Sequence, residues 1–359
     1  MTDLPPRAGA ESSAGPLASV ITVNTNELHR LRQWLPSVSA TRADFEIIVS
    51  DNGSGDGSLE FLAERYPAVR VVANGSNIGF CAANNRAADS ARGRFLVFLN
   101  PDTTVDPDWL TRLIEPFRDP DVGLTTSKIL LMKDPDRINT CGNAIHLTGL
   151  TLCRGMGKPK ETFAAAEDAA AVSGAAFAIR RELFRALGGF DEDYFIYMDE
   201  TDLSCRAWLA GWRCRTAPQS LVWHDYAMRF GSEKVLRQER NRYQTILKNF
   251  RWPTIAALLP GLLLAEAITW AFVLLIEPAH ARKKWQAYAE VARRWREIMR
   301  KRRTVQALRI RRDRDLVLRM TWNLDFPQVT SHPLSRLAAV VFNPLFLLLW
   351  CYAALLVWW

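Results

Sequence analysis

The sequence lacks the cysteine and histidine patterns that indicate a structural metal or a disulfide framework. Its 359 residues include six cysteines, none of them in a C-x-x-C pair. No group of Cys and His has the spacing of a zinc site. Scattered single cysteines in a chain of this size are typical of free thiols in a reducing compartment. The pattern excludes zinc-finger proteins and small disulfide-stabilised domains.

Two phosphate-binding signatures and a secretion signal are also missing. No P-loop occurs, and "SDNGSGDGSLEF" fails the dinucleotide fingerprint because its third glycine position is Ser58. The first residues contain Pro, Gly and Ser but no apolar core of a signal peptide. We therefore expect residues 1–17 to be a flexible tail and the following domain to stay on the cytoplasmic side.

Charge divides the chain near residue 250. Residues 1–250 carry 29 Lys/Arg and 31 Asp/Glu, whereas residues 251–359 carry 17 and 7. The overall 48% of hydrophobic residues is enough for a packed core. We predict one soluble domain over 18–250, a basic membrane-associated helical region over 251–337 and a transmembrane segment over 338–359.

Two apolar stretches, 254–276 and 338–359, are long enough to cross a bilayer. Residues 277–337 between them hold 16 Lys/Arg and 6 Asp/Glu, so the positive-inside rule predicts that they are cytoplasmic. The first stretch contains Pro260, Gly261 and Glu266, which are unfavourable in a lipid-exposed span. We therefore expect it to re-enter or to lie in the interface, while the second stretch crosses once. A two-span hairpin is the alternative.

The basic stretch 282–314 has apolar and aromatic residues at helical spacing. Such a pattern predicts an amphipathic helix on an anionic membrane surface. Nucleic acid is the competing partner of a basic segment, but no recognition motif accompanies it, so we expect no nucleic acid.

Strands and helices alternate through the first half of the chain. Apolar runs at 18–23, 45–50, 69–74 and 94–100 read as strands, each followed by a helical pattern. This alternation predicts an α/β fold with a mostly parallel, doubly wound sheet. Ligands of such sheets lie beyond the carboxyl ends of the strands.

All four predicted strands end in polar residues. Asn24, Asp51-Asn52, Asn74 to Asn77 and Asn100-Pro101-Asp102 follow them in order. Each could be ordinary turn chemistry, because Asn, Asp and Pro all favour turns. Four polar ends at one edge of a sheet together predict a binding site.

An acidic cluster precedes a later helix. Asp199, Glu200 and Asp202 fall within four residues, after an aromatic approach. Helix capping and the helix dipole explain acids at a helix start. Acids beside apolar surface also acquire raised pKa values that suit a general base, and both interpretations stay open.

His224, Arg240 and Arg242 could each have a structural role or bind a ligand. His224 follows a short apolar run and is either a packed core histidine or a ligand. Arg240 and Arg242 lie near the end of the soluble domain. They are either exposed helix charges or a phosphate clamp.

Taken in order, six segments resemble the inverting glycosyltransferases of family two, in particular their rhamnosyltransferase-like branch. The resemblance runs from about Ser19 to Phe250. The segments are "ITVNTNE", "IIVSDNGSGDGS", "NIGFCAANNRA", "FLVFLNPDTTVDPDWL", "VSGAAFAIRRELFRALGGFDEDYFIYMDETDLSCRAWLAGW" and "LVWHD". The resemblance implies a GT-A fold, a nucleotide-sugar donor and a divalent metal, Mg²⁺ or Mn²⁺.

The resemblance also implies roles for individual residues. Glu200, within the pair Asp199-Glu200, would be the catalytic base, Asp102 would hold the metal, and His224 would lie near the metal and the diphosphate. Ser173-Gly174 would lie on the acceptor side. The residues expected to bind the donor are Asn24, Asp51, Asn77, Gly79, Asn100, Arg240 and Arg242.

Three motifs depart from the family pattern. The Asp-x-Asp metal motif is Asn100-Pro101-Asp102 here, and the usual Glu-Asp pair reads Asp199-Glu200. The family's Gln/Arg-x-x-Arg-Trp motif is absent, with Arg240 or Arg242 as a loose substitute. A site with one carboxylate needs further ligands, such as phosphate, water or His224.

These features predict a metal-dependent, inverting glycosyltransferase of polysaccharide or cell-wall synthesis. The expected donor is a dTDP- or UDP-linked sugar, with rhamnose as one candidate. The expected acceptor is a lipid-linked saccharide or glycan at the cytoplasmic face of the inner membrane. A nucleotidyltransferase and an inactive membrane-bound scaffold with the same fold are the alternatives.

Overall fold

The structure is a computed structural model, which describes residues 4–5, 15–227 and 231–359. The predicted tail therefore lies mostly outside the described residues. The strands are β1 (Ala18–Asn24), β2 (Phe45–Asp51), β3 (Arg70–Ala73), β4 (Phe95–Leu99), β5 (Thr103–Val105), β6 (Val122–Leu131), β7 (Asp134–Cys141), β8 (Asn143–Ile145), β9 (Thr151–Cys153), β10 (Ala176–Arg180) and β11 (Arg213–His224).

The helices fall into two groups. Those of the α/β part are α1 (Leu28–Ser39), α2 (Ser58–Arg65), α3 (Phe80–Ser90), α4 (Trp109–Ile114), α5 (Arg181–Ala186) and α6 (Asp199–Leu209). Those of the helical part are α7 (Ser232–Asn249), α8 (Trp252–Leu275), α9 (Ala281–Arg293), α10 (Trp295–Ala307), α11 (Asp313–Val317) and α12 (Ser335–Leu356).

The main sheet has the strand order β3-β2-β1-β4-β10-β6-β11-β5, with β7 beside β6. Strands β1 to β4 are parallel to one another, as the alternating pattern predicts. Beyond β4 the sheet becomes mixed, because β10 runs antiparallel to both β4 and β6. Strands β8 and β9 form a separate hairpin. The fold is thus a mixed α/β sheet followed by a helical region.

The parallel half of the sheet aligns the strand ends that the sequence singled out. Strand β1 is apolar and almost fully buried because helices cover both faces of the sheet. Asn24 pairs with Asp51 in the register of β1 and β2. The polar residues after β1, β2 and β4 therefore meet at one edge.

Buried ion pairs join α6 to the helical region. Asp202 in α6 lies 3.1 Å from Lys248 Nζ and accepts from Asn249, both in α7. Lys248 also bonds Asp191, which is paired in turn with Lys301 of α10. A part of the basic excess after residue 250 therefore has a structural role.

The two apolar helices α8 and α12 lie antiparallel against the α/β domain. Trp359, just after α12, donates from Nε1 to Thr254 near the start of α8. At the opposite end the rings of Phe272 and His332 are in contact. Both helices are long and apolar enough to cross a membrane.

Contacts at their midpoints hold α8 and α12 to the domain. A Cβ on Gly261 of α8 would lie 2.3 Å from Leu147 Cδ1, so the Leu147 side chain packs directly on the backbone of α8. Phe346 of α12 is fully buried with its ring 4.7 Å from that of His146. Leu147 and His146 belong to the turn of the β8–β9 hairpin.

The acid in the first apolar stretch faces protein. Glu266 of α8 accepts from Arg242 and Tyr243 of α7 and from Tyr288 of α9, and it pairs with Lys284. A polar cluster between α7, α8 and α9 thus explains a carboxylate in an apolar helix.

The basic amphipathic stretch 282–314 is interrupted, with α9 ending and α10 beginning around Arg294. Ala287, Ile298 and Val305 face the protein. Trp285 and Trp295 are 65% and 44% exposed. The outer face of these two helices thus combines tryptophan with arginine, as in interfacial helices.

Candidate active site

A cavity of about 470 Å³ opens at the carboxyl edge of the sheet. It brings together eight of the predicted site residues from distant parts of the chain. These are Asn77, Asn100, Asp102, Ser173, Gly174, Asp199, Glu200 and His224. The other five predicted residues, Asn24, Asp51, Gly79, Arg240 and Arg242, lie outside its lining.

Asp102 and His224 meet because β5 and β11 are neighbours in the sheet. His224 Nε2 lies 3.2 Å from Asp102 Oδ1. The other ring nitrogen, Nδ1, lies 2.9 Å from Asn139 Oδ1, which fixes the ring orientation. Arg30 of α1 lies 3.4 Å from Asp102 Oδ2. One carboxylate, one imidazole and one guanidinium therefore face the same part of the cavity.

The Asp102–His224 pair fits a divalent cation. Oδ1 of Asp102 is buried and, among the described residues, has no hydrogen-bond donor of good geometry. Carboxylate and imidazole are ligands that Mn²⁺ accepts, and Mg²⁺ uses one or two carboxylates together with substrate phosphates. No group of three such side chains occurs in the described ranges. A metal here would take its remaining ligands from a bound phosphate or from water.

Glu200 lies on the opposite side, in the first turn of α6. Its Oε1 accepts from Asn143 Nδ2 at 3.2 Å. Gly174 packs beside the Glu200 carboxylate, since a Cβ on Gly174 would lie in van der Waals contact with it, 3.4 Å from the carboxyl carbon. Burial raises the pKa of Glu200, and the neighbouring Asp199 raises it further. A carboxylate with a raised pKa suits proton abstraction near neutral pH.

Asp199 lies beneath Glu200 and is almost fully buried. It is the first residue of α6, whose cap residue is Met198, so Asp199 does not cap the helix. Its Oδ2 is buried without a partner among the described residues. Burial raises the pKa of Asp199, and Asp202 adds to the rise.

The chain before α6 is held in an unfavourable conformation. Phe195, Tyr197 and Met198 all have positive φ angles, of 65°, 74° and 62°, which cost free energy for residues other than glycine. Asn241 of α7 stabilises this loop, because its amide donates to the carbonyls of Tyr194, Ile196 and Tyr197 at 2.9–3.2 Å.

The same loop contacts the start of α3. The carbonyl of Phe195 accepts from Phe80 N at 2.7 Å. Gly79 has φ +90°, and a Cβ there would lie 2.6 Å from the Phe195 ring. Gly79 therefore lets the acid-bearing loop approach the segment that contains Asn77.

Asn24 and Asp51 form the floor beneath the cavity. Asn24 Nδ2 donates to Asp51 Oδ1 at 2.7 Å, and the N–H groups of Gly53 and Ser54 donate to Asp51 Oδ2. Both side chains are almost fully buried. Contact of these two residues with a base remains a prediction, because their polar atoms have protein partners in this structure.

Arg240 and Arg242 point away from the cavity. Arg240 donates to the carbonyls of Asp193 and Tyr194 and pairs with Glu290 of α9. Arg242 bonds Glu239 and Glu266, as well as Thr148 O. Both are buried by folding, so neither is an exposed helix charge, and the structure does not bring them to the site.

Four residues in or beside the site escaped the sequence analysis. They are single polar residues without a local motif, in helices (Arg30 and Asn241) or in strands (Asn139 and Asn143). The two asparagines of "INTCGNA" (138–144) lie on either side of Gly142, a pattern that ordinary turn chemistry also produces. Only the folded chain places Asn139 against His224 and Asn143 against Glu200.

Residues 19–188 match the family model described as "Glycosyl transferase family 2". N-acetylglucosaminyl-diphospho-decaprenol L-rhamnosyltransferase of Mycobacterium tuberculosis is 28% identical over 261 residues, which cover 65% of this chain and 80% of that protein.

Solved structures share the fold. Mannosyltransferase PcManGT from Pyrobaculum calidifontis, in complex with GDP-Man and Mn²⁺, matches with a TM-score of 0.52 at 18% identity, over 96% of this chain and 88% of that one. The S. aureus TarS structure in complex with UDP-GlcNAc matches with a TM-score of 0.53 at 14% identity, over 92% and 90%.

Replacing Asn241 by alanine tests how the acid-bearing loop is held. Loss of three hydrogen bonds should release the strained conformation, so backbone amide exchange of residues 194–199 should rise about tenfold or more. Hydrogen exchange with mass spectrometry measures this. Gln244→Ala is the matched control, since Gln244 is a buried α7 amide whose Nε2 has no partner among the described residues. Equal protection in Asn241→Ala and wild type would contradict the role.

Proposed function

Since the chain belongs to glycosyl transferase family 2, we propose that it transfers a sugar from a nucleoside-diphosphate donor to a hydroxyl of a lipid-linked saccharide, with inversion. One observation carries this proposal. The Glu200 carboxyl, with its raised pKa, shares a single cavity with the Asp102–His224 pair. The cavity volume is within the range of small-molecule sites.

Each half of the cavity has one task. Glu200 takes the proton of the acceptor hydroxyl as its oxygen attacks the anomeric carbon, and Asn143 orients the carboxylate. Asp102 and His224 would hold the divalent cation, which neutralises charge on the leaving diphosphate when bound. Arg30, beside Asp102, adds a positive charge for the same phosphates. A single displacement inverts the anomeric configuration.

The relative's printed name supports the acceptor class and one sugar. That protein transfers L-rhamnose to N-acetylglucosaminyl-diphospho-decaprenol. We extend this to a saccharide on a polyprenyl diphosphate as acceptor and to rhamnose as the first sugar to test. Similar folds were solved with UDP-GlcNAc and with GDP-Man and Mn²⁺, so UDP- and GDP-linked donors belong beside dTDP-linked ones in the test.

The exposed apolar faces of α8 and α12 support membrane association. Leu263 of α8 is 59% exposed, and Val340 and Leu348 of α12 are 73% and 66% exposed. Because both helices also contact the domain at their midpoints, we place them in the plane of the cytoplasmic leaflet. The single crossing by residues 338–359 that the sequence suggested is the alternative arrangement. The arginines of α9 and α10 would contact anionic lipid headgroups.

Glu200→Gln tests the base. The substitution keeps the shape of the side chain but cannot accept the proton, so kcat should fall about 10²–10⁴-fold while donor binding is unchanged. A panel of dTDP-, UDP- and GDP-sugars, scored by nucleoside diphosphate release with Mg²⁺, Mn²⁺ or a chelator, measures turnover. Glu182→Gln, an exposed acid in α5, is the control. Unchanged turnover refutes the base, and a wild type that is inactive with every donor indicates a scaffold.

The pH dependence follows from the raised pKa of Glu200. The base acts only when it is deprotonated, so kcat/KM should fall as the pH drops through this pKa, which burial raises well above 4.5. The hydrogen bond from Asn143 lowers the pKa of Glu200. Asn143→Ala should therefore move the acidic limb of the profile to higher pH. A limb that stays in place would argue against Glu200 as the titrating group.

Labelling of residue 358 tests the membrane arrangement. Trp358→Cys, in a chain with the exposed Cys351 replaced by alanine, should react with a membrane-impermeant maleimide in inverted vesicles but not in intact cells. Arg118→Cys in the α/β domain is the cytoplasmic reference, since its side chain is 85% exposed. Labelling of Trp358→Cys alone in intact cells would establish the single crossing instead.

A further inference from the structure

A second, smaller cavity of about 130 Å³ adjoins the catalytic cavity. The two cavities share Thr151, Lys234, Gln238 and Gln328 in their walls. Gln328 forms a pair of hydrogen bonds with the backbone of Cys153, at 2.8 and 3.0 Å, which fixes this shared wall. We call the smaller space the side cavity. It lies next to the cavity that contains Glu200, across these four shared residues.

The walls of the side cavity combine apolar side chains with polar and charged ones. They come from the start of α7, strand β9, the second half of α8 and the turn around residue 329. The apolar lining residues are Leu150, Leu152, Val235, Phe272, Val273 and Val329. These six side chains offer contacts for a hydrocarbon chain.

Cationic side chains lie in the same walls, with Lys234 at the junction of the two cavities. Its Nζ is 5.9 Å from the ring centroid of Tyr197, in the loop that leads to Glu200. Deeper in the side cavity, Lys284 bonds Thr269 and Glu239, and His280 pairs with Glu277. Lys234 is thus the cation that both spaces share, between the acid pair and the apolar walls.

The apolar end of the side cavity leads toward exposed apolar surface. Phe272 and Val273 line it, and the next residues of the chain, Leu274, Leu275 and Ile276, are 61%, 82% and 36% exposed. A chain leaving the side cavity here would pass onto the surface that we place in the leaflet.

We infer that the side cavity binds the isoprenoid diphosphate stem of the acceptor. The diphosphate lies at Lys234, and the first isoprenoid units lie against Phe272 and Val273. The inference rests on the proposed function, which places the acceptor sugar at Glu200. An anionic diphosphate between a sugar and a hydrocarbon chain matches, in sequence, a polar cavity, a cation and a set of apolar side chains.

Filling the side cavity tests the inference without changing the catalytic residues. Val273→Trp should raise KM for N-acetylglucosaminyl-diphospho-polyprenol about tenfold or more, because the larger side chain excludes the stem. Transfer to a lipid-free N-acetylglucosaminide should be unaffected. Leu274→Trp, next along the helix and exposed, is the matched control and should behave as wild type.

A binding measurement gives a second readout. Farnesyl diphosphate, which carries the isoprenoid and the diphosphate but no sugar, is titrated into the full-length protein in detergent. Its affinity should fall in Val273→Trp and in Lys234→Met, whereas that of farnesol should fall in Val273→Trp only. Lys234→Met also keeps the test decisive if the tryptophan variant fails to fold.

The outcomes separate this inference from the proposed function. Active wild type with an equal KM in Val273→Trp and Lys234→Met overturns the side-cavity site alone. If Asp102→Asn abolishes farnesyl diphosphate binding and Val273→Trp does not, the diphosphate binds in the donor site. That result also overturns the side-cavity site. Binding to phosphatidylglycerol vesicles is measured in the same variants. If Val273→Trp weakens vesicle binding as much as it weakens farnesyl diphosphate binding, the side cavity binds bilayer phospholipid instead. Farnesyl diphosphate binding without any sugar transfer refutes the proposed function and keeps the site.

Discussion

The hydrogen bonds from α7 to the loop before α6 are the contact on which the rest of the site depends. Asn241 and Arg240 together bond the carbonyls of residues 193, 194, 196 and 197. This holds three residues at positive φ and fixes where α6 begins, and therefore where Glu200 stands. The same loop reaches Gly79 and the start of α3. One polar contact thus positions the acid pair and the segment on the donor side.

Because these hydrogen bonds come from α7, the helical region is needed to hold the site of the α/β domain in place. Helix α10 covers the end of α7, where Arg302 and Gln306 donate to its last carbonyls. Gln328, far along the chain, fixes one wall of the catalytic cavity. The change from a near-neutral to a basic and apolar composition near residue 250 is therefore a change in surface chemistry. It is not a boundary in packing, because side chains from both parts contact each other.

Burial explains both the chemistry and the charge distribution. Within the described ranges no cation pairs with Asp199 or Glu200, so desolvation raises their pKa values. Asp202, two residues later, is as deeply buried but lies beside Lys248 and Arg206, and its pKa is lowered instead. Burial disfavours the charged form of all three acids, and the presence or absence of a cation decides the direction of the shift. Lys248 of α7 and Lys301 of α10 therefore favour the ionised form of Asp202 and Asp191, whereas the proposed base Glu200 has no such cation among the described residues.

The sequence by itself determined the alternation of strands and helices, the polar strand ends, the acid cluster and the two apolar helices, because these are local patterns of hydrophobicity and turn chemistry. It identified Asp102, Glu200 and His224 as candidates. Only the tertiary structure decided that Arg240 supports a loop, that Glu266 faces protein, and that Asn139 and Asn143 stand beside the reactive groups. These contacts join residues 46 to 85 positions apart or separate helices, and no local pattern carries information about partners at that distance.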